Sequence, residues 1–462
     1  MSVNNIVVTA DEDDPAVLKA MLASPPPEIV ARMDVHGVIP PRMQARIGTW
    51  SRVATFSAGF VLLATVAFAD GGYFRETWLW ISLALSTLTW IVLVVRDGIA
   101  VGRLEVAGLA ALASLAVWVA LSAAWSPTPE VTIDEAERAL IYVAGFLAVV
   151  LVVDGERLRE YFAGIAAATI LVVAYSFGER LLHPTPMSDP TQGTLLIEPF
   201  GYANALGIFA TLGLLLSLGL TVSASTNTER IAWFAPAPIL ASALISTESR
   251  GAWFALIVGL VVVAAFRWDR IASLPPMVPK PAVLAALTGI LALGVATAVV
   301  RADRPLGQRV DYWSVALHQW QENIWLGSGA GTFALYWLRE DGSSAVLDAH
   351  SLYLETLAEV GPVGLLLLVG ALSVPLFAAV RARHHPLTAV GAGAYTAYLV
   401  HTGLDWDWEM PAVTLAGLLC GIGILAASRQ KDEFTVGIRG RRAIAVVALL
   451  LAGLAVAGGV TH

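Results

Sequence analysis

The stretch EVAGLAALASLAVWVALSAAW, residues 105–125, carries a single charged side chain, Glu105. A helix of that length rises about 30 Å, the thickness of the hydrocarbon core of a bilayer. It is apolar all the way round, so it has no polar face to turn to water. Comparable runs lie at 53–69, 78–95, 139–153, 161–177, 205–223, 231–246, 251–266, 282–300, 361–380, 387–402, 411–427 and 443–460. The pattern predicts an all-α, polytopic transmembrane bundle of about 12–13 spans.

The composition of the 462-residue chain agrees: 57% hydrophobic and only 14% charged residues, with a mean hydropathy of +0.71. Soluble domains carry about 45–50% apolar and about 25% charged residues, and this chain has more apolar surface than one or two such domains could bury. A net charge of −8 with no Lys/Arg block argues against nucleic-acid binding. The lone Cys420 excludes a disulfide framework and a thiolate metal site. Fifteen Trp residues and the long Leu/Val/Ala runs exclude disorder.

Lys and Arg in short loops favour the cytoplasm. Alternate connections hold Arg96 and Arg103, Arg157 and Arg159, Arg230, then Arg267, Arg270 and Lys280, then Arg381 and Arg383, and finally Arg429, Lys431, Arg439, Arg441 and Arg442. The opposite connections are acidic: Glu130, Asp134, Glu135 and Glu137; Asp189 and Glu198; Asp405, Asp407 and Glu409. The N-terminus is therefore expected in the cytoplasm. Residues 1–50, with Asp11–Asp14 and Pro25–Pro27, are expected to be a cytoplasmic tail with an interfacial turn at 28–35, and 51–462 the membrane domain. The start has no apolar run of the signal-peptide kind.

A transporter relay would place Asp, Glu or His at mid-span, or show inverted pairs of broken helices. Neither appears. The polar residues gather at one set of helix ends: Asn204 in PFGYANALG, Glu248 and Arg250 in STESRGAWF, the segment 301–350, and HTGLDWDWEMP at 401–411. That distribution suits chemistry at the outer membrane surface. Within 301–350, Val310, Trp313, Leu317 and Trp320 share one helical face, a stripe able to lie in the lipid interface, while Arg309, Tyr312, Ala316 and Gln319 share another. Gly327, Gly329 and Gly331 permit a tight turn, either plain or close to a ligand. No Lys-Ser/Thr ends the run, so it is not a nucleotide loop. Asp348 or Ser351 is placed to cap a following helix, with His350 at its start and Pro362 opening the next span.

These motifs resemble the O-antigen ligase and polymerase superfamily. Arg309 precedes YW at 312–313, ENIWLGSGAGTF occupies 322–333, and AHSLYLETLAEVGPVGLL occupies 349–366. TESRGAWFAL at 247–256 is similar to the family's Ser-Arg-Gly helix start, GYANALG at 201–207 to its Asn motif, and HTGLDWDWEMPA at 401–412 to its His/Asp segment. Ser351 stands where many members have Asn, Asn323-Ile324-Trp325 keeps the Pro–Trp context in part, and the last span exceeds the family's usual twelve. The resemblance covers roughly residues 50–430.

The resemblance implies a GT-C-like enzyme of the bacterial cytoplasmic membrane. Such an enzyme moves a glycan from a polyprenyl diphosphate to an acceptor hydroxyl at the outer face, with a glycolipid or other envelope acceptor. It implies that Arg250 and Arg309 hold the diphosphate, since guanidinium groups pair with phosphate oxygens bidentately, and that His350 takes the acceptor proton or orients the donor. Asn204, Tyr312, Trp313, Tyr353, Asp405 and Trp406 are the expected substrate contacts. For the aromatics, interfacial anchoring competes with sugar stacking; for Asp405, Asp407 and Glu409, a solvated loop is the alternative. No cofactor or metal is implied, although Asp405 and Asp407 leave a Mg²⁺ or Ca²⁺ site open. A polymerase of lipid-linked repeat units uses the same motifs. A lipid-linked sugar flippase or a structural assembly partner leaves the polar outer segment unexplained.

Overall fold

A computed structural model describes residues 41–96, 98–183, 192–267, 308–340, 346–429 and 433–460. The expected span 282–300, the turn at 28–35, the opening of the 301–350 segment up to residue 307, and Asp189, Arg270, Lys280 and Lys431 lie outside the described residues. The chain divides into Met1–Ser51 and Arg52–His462. The described residues of the first unit are the opening turns of helix α1 (Pro41–Ala67).

The second unit is all-α. In chain order its helices are α2 (Arg75–Val95), α3 (Arg103–Leu121), α4 (Pro129–Val152), α5 (Leu158–Leu182), α6 (Ala203–Val222), α7 (Asn227–Phe234), α8 (Ala237–Ser246) and α9 (Arg250–Phe266). They continue as α10 (Arg309–Glu322), α11 (Phe333–Glu340), α12 (Leu352–Arg381), α13 (Thr388–His401), α14 (Pro411–Ser428) and α15 (Ile438–Val460). Among the described residues, seven segments are long and apolar enough to cross a membrane: 75–95, 103–124, 155–182, 203–222, 352–381, 411–428 and 438–459. The shorter apolar helices 51–67 and 250–266 join them. The protein is a polytopic helical membrane bundle.

Two expectations are corrected. The run 231–246 is two helices, because Pro236, which has no N–H to donate, stands at the break between α7 and α8. Pro362 opens the next span as expected: Gly361 (φ 68°) breaks the helical backbone and kinks α12 just before it. The acidic residues 130–137 are not in a loop: α4 begins at Pro129, and Glu130, Asp134, Glu135 and Glu137 ride its first turns. Ion pairs make that tolerable. Arg75 meets Glu137 at 2.6 Å and Asp134 at 3.0 Å, and Arg138 pairs with Glu135.

Helices α6 and α14 are buried along almost their whole length and form the centre of the bundle. Around them α9 lies along α13. The two backbones touch where both are glycine: a Cβ at Gly259 would sit 2.9 Å from the Gly393 carbonyl, and one at Gly393 would sit 2.7 Å from the Gly259 carbonyl. Small residues at a crossing let membrane helices approach closely. At one end of the bundle, Ala100–Gly102 pairs antiparallel with Glu433–Thr435. There Arg429, almost fully buried, reaches Glu105 at 2.6 Å and the carbonyls of Val150 and Val153. The residues of interest for function gather at the other end.

Candidate functional site

Helix α10 turns the predicted polar face inward. Tyr312, Val315, Ala316 and Gln319 are buried, whereas Val310 is 53% and Leu317 38% exposed. The stripe read from the sequence as interfacial therefore faces out, and Arg309 starts the helix at the rim of the bundle. Trp313 and Trp320 are half-buried on the outward side.

Arg309 is gripped by the connection between α13 and α14. Its Nε donates to the Leu404 carbonyl and its Nη2 to Asp405 Oδ2, both at 2.5 Å. Asp405 is buried and fully engaged. Oδ2 also accepts from Asn204 Nδ2 at 2.7 Å, and Oδ1 accepts from the Tyr202 hydroxyl at 2.7 Å and the Trp406 N–H at 3.0 Å. Burial alone would raise its pKa. Arg309, His401, His350 and the Tyr202 hydrogen bond outweigh that and hold it below the usual carboxylate range. Asp405 thus stays ionised and fixes the guanidinium. Arg309 Nη1 has no partner among the described residues, and its side chain is 24% exposed.

His350 occupies a left-handed backbone position (φ 54°) just before α12, a conformation a non-glycine residue adopts at some cost. Its Nδ1 lies 3.1 Å from the Asp348 carbonyl and its ring packs on Tyr312, centroids 4.8 Å apart. Burial lowers its pKa; Asp405 pushes it up and Arg309 pushes it down, and the net shift is downward. The imidazole is therefore neutral near pH 7 and able to accept a proton. Ser351 holds the cap position of α12 but makes no side-chain capping bond. The Leu352 N–H donates instead to the Thr402 carbonyl at 2.8 Å, which ties the His350 turn to the same connection that grips Arg309.

The glycine turn is filled by protein. Glu359 accepts from the N–H groups of Gly331 at 2.8 Å and Phe333 at 2.9 Å. Gly327, Gly329 and Gly331 all have positive φ, and a Cβ on Gly327 would lie 2.3 Å from the Glu359 backbone. Of the two readings of this run, the structure supports the turn. Its backbone donors meet a carboxylate of α12.

A second polar cluster lies alongside. Oxygens of Asp348, Glu355 and Glu409 lie within 4.8 Å of one another. Arg138 supplies counter-charge, bonding Glu409 at 2.7 and 2.6 Å, with the Trp78 and Trp408 rings each 5.6 Å away. Burial, then Glu409, pushes Asp348 well above the usual carboxylate range. Glu135, Arg138, Glu355, Glu359 and Trp408 also line a mostly apolar cavity of about 130 Å³.

The structure thus brings together Arg309, Tyr312, His350, Asp405 and Asn204. Trp406 stacks on Tyr202 (centroids 4.7 Å), and the Tyr353 hydroxyl donates to the Leu399 carbonyl at 2.7 Å, so both have protein partners already. Arg250, exposed, is the first residue of α9, whose cap Ser249 accepts from the Ala252 N–H. Asp405, Asp407 and Glu409 are buried rather than solvated. Asp407 pairs with His401 (Oδ1 to Nδ1, 3.2 Å), so the two aspartates turn to different partners and do not form a shared cation site. Sequence reasoning missed Tyr202, Glu359, His401 and the Arg138–Glu409 pair. Tyr202 and His401 sit inside motifs already marked; the long-range pairings leave no local signal.

Residues 235–369 match a family model described as O-antigen ligase. The matched segment includes Arg250, Arg309, Tyr312, Trp313, His350 and Tyr353, while Asn204, Asp405 and Trp406 lie outside it. No curated protein matches the chain.

Proposed function

We propose that this membrane protein, whose segment 235–369 carries the O-antigen ligase signature, transfers a glycan from a polyprenyl diphosphate to an acceptor hydroxyl. Transfer takes place at the membrane face opposite the Arg-rich loops, outside the cytoplasm. The observation that carries this reading is the juxtaposition of Arg309, locked by Asp405 and the Leu404 carbonyl, with a neutral His350 stacked on Tyr312. Arg309 offers its Nη1 edge to a phosphate oxygen, and Arg250 supplies a second cation. His350 accepts the proton of the acceptor hydroxyl as the oxygen attacks the anomeric carbon. The bond from that carbon to the diphosphate breaks, and the leaving diphosphate keeps the electron pair under the charge of the arginines. Asn204, Tyr202 and Asp405 keep the guanidinium in place.

The test is glycan transfer in proteoliposomes at matched protein levels. His350→Ala and Arg309→Ala are each expected to lower the rate at least ~100-fold, a typical range for a lost general base or charge clamp, with unchanged thermal unfolding. Full activity in both variants would overturn the assignment. Product length reads the reaction type: one intact chain on a distinct acceptor is ligation, whereas a ladder of repeat units is polymerisation.

A further inference from the structure

His401 ends α13 and has no exposed surface. Its Nδ1 meets Asp407 Oδ1 across the α13–α14 connection. Its Nε2 and Asp407 Oδ2 are buried without a partner among the described residues. Buried polar atoms without partners are rare in folded proteins, and a leucine here would leave both oxygens of the buried Asp407 carboxylate unpaired. The position of the ring ties it to the site. Nε2 faces Gly251, where a Cβ would lie only 3.2 Å away, and Gly251 directly follows Arg250 at the start of α9. The connection that His401 and Asp407 close is the one whose Leu404 carbonyl and Asp405 hold Arg309, and whose Thr402 carbonyl holds the residue two beyond His350. One imidazole therefore touches the turn that carries Arg250 and braces the loop that carries the Arg309 grip.

We infer that His401, hydrogen-bonded to Asp407 and wedged against Gly251, is a positioning residue that sets the spacing between Arg250 and Arg309 and so the fit of the site to a diphosphate. The inference rests on the glycan-transfer reading above. A fixed spacing matters most when charge moves onto the leaving diphosphate, and a displacement of about 1 Å costs on the order of 10²-fold in rate. The expected signature is loss of kcat with little change in KM.

The experiment measures kcat and donor KM with lipid-linked oligosaccharide and lipid acceptor extracted from producing cells, together with thermal unfolding of each variant. His401→Leu, which fills the space but cannot bond Asp407, is expected to lose about 10–100-fold in kcat, with KM within about threefold. His401→Asn, whose amide N–H can replace Nδ1–H, is expected to recover to within about tenfold of wild type. Gly251→Ala keeps every polar group but crowds the ring, and should lower kcat several-fold. Wild-type kcat in His401→Leu, failure of His401→Asn to recover, or losses that track the folded fraction would each overturn the inference. The two readings separate cleanly: inactive His350→Ala and Arg309→Ala beside a fully active His401→Leu would sink only the positioning role, whereas full activity in His350→Ala and Arg309→Ala would sink the glycan-transfer reading.

Discussion

At the scale of single residues, the site depends on which groups stay charged. Asp405 receives four hydrogen bonds and sits against Arg309, so it remains a carboxylate through the physiological range. His350 is neutral for the opposite reason: burial disfavours the imidazolium. The direction of that shift fixes a pH prediction. A base works only when unprotonated, and a lowered pKa keeps it so to lower pH, so kcat/KM should hold down to pH 6.5 and fall below it. An acid limb with its midpoint at or above 6.5 would contradict a buried neutral base. In Asp405→Asn the carboxylate that raises the His350 pKa is gone. The limb should move further toward acid while the plateau drops, which a pH profile on purified enzyme would read.

At the scale of elements, the 327–333 turn and the first part of α12 form one unit. The glycines bring backbone donors toward α12, and Glu359 accepts them just before the kink at Gly361. Gly361 permits the close approach from its side too, since a Cβ there would sit 2.5 Å from the Trp325 carbonyl. The apolar flank of the turn stays outside, with Trp325 79% exposed, and an exposed Trp favours a membrane interface. Glu359→Ala should cost about 1–3 kcal/mol for each buried N–H it leaves unpaired, and Gly327→Ala should destabilise as much or more because the added carbon meets backbone. Both should lower the unfolding temperature in detergent. Unchanged unfolding of Glu359→Ala would mean that the turn does not depend on the carboxylate.

At the scale of the whole molecule, the polar chemistry is split between two ends. At the end away from the site, Arg429 joins α3 to α4 through Glu105 and the carbonyls of Val150 and Val153. Removing one partner of a buried pair strands the other, at about 3–5 kcal/mol. Arg429→Ala should therefore unfold at markedly lower temperature, while the folded fraction keeps its transfer rate within about twofold. A large rate loss per folded molecule would show that the two ends are coupled.

Hydropathy and loop charge made the bundle legible because each span must bury its own backbone polar groups in lipid, a demand met locally by about twenty apolar residues. Local periodicity likewise separated the two faces of α10, setting Arg309 and Tyr312 apart from the apolar stripe before any fold was known. The sequence alone thus determined the helical membrane class, most of the apolar helices though not all of their starts, and the segments that carry the polar chemistry. Only the tertiary structure decided that Asp405 grips Arg309 from 96 positions away, that Glu359 occupies the glycine turn, and that Arg138 neutralises Glu409 across 271 positions. It also decided that the acidic turns of α4 are helix rather than loop. Each of these is a choice of partner for a buried charge, and the partner is set by which helices pack together, a relation that no local spacing in the chain records.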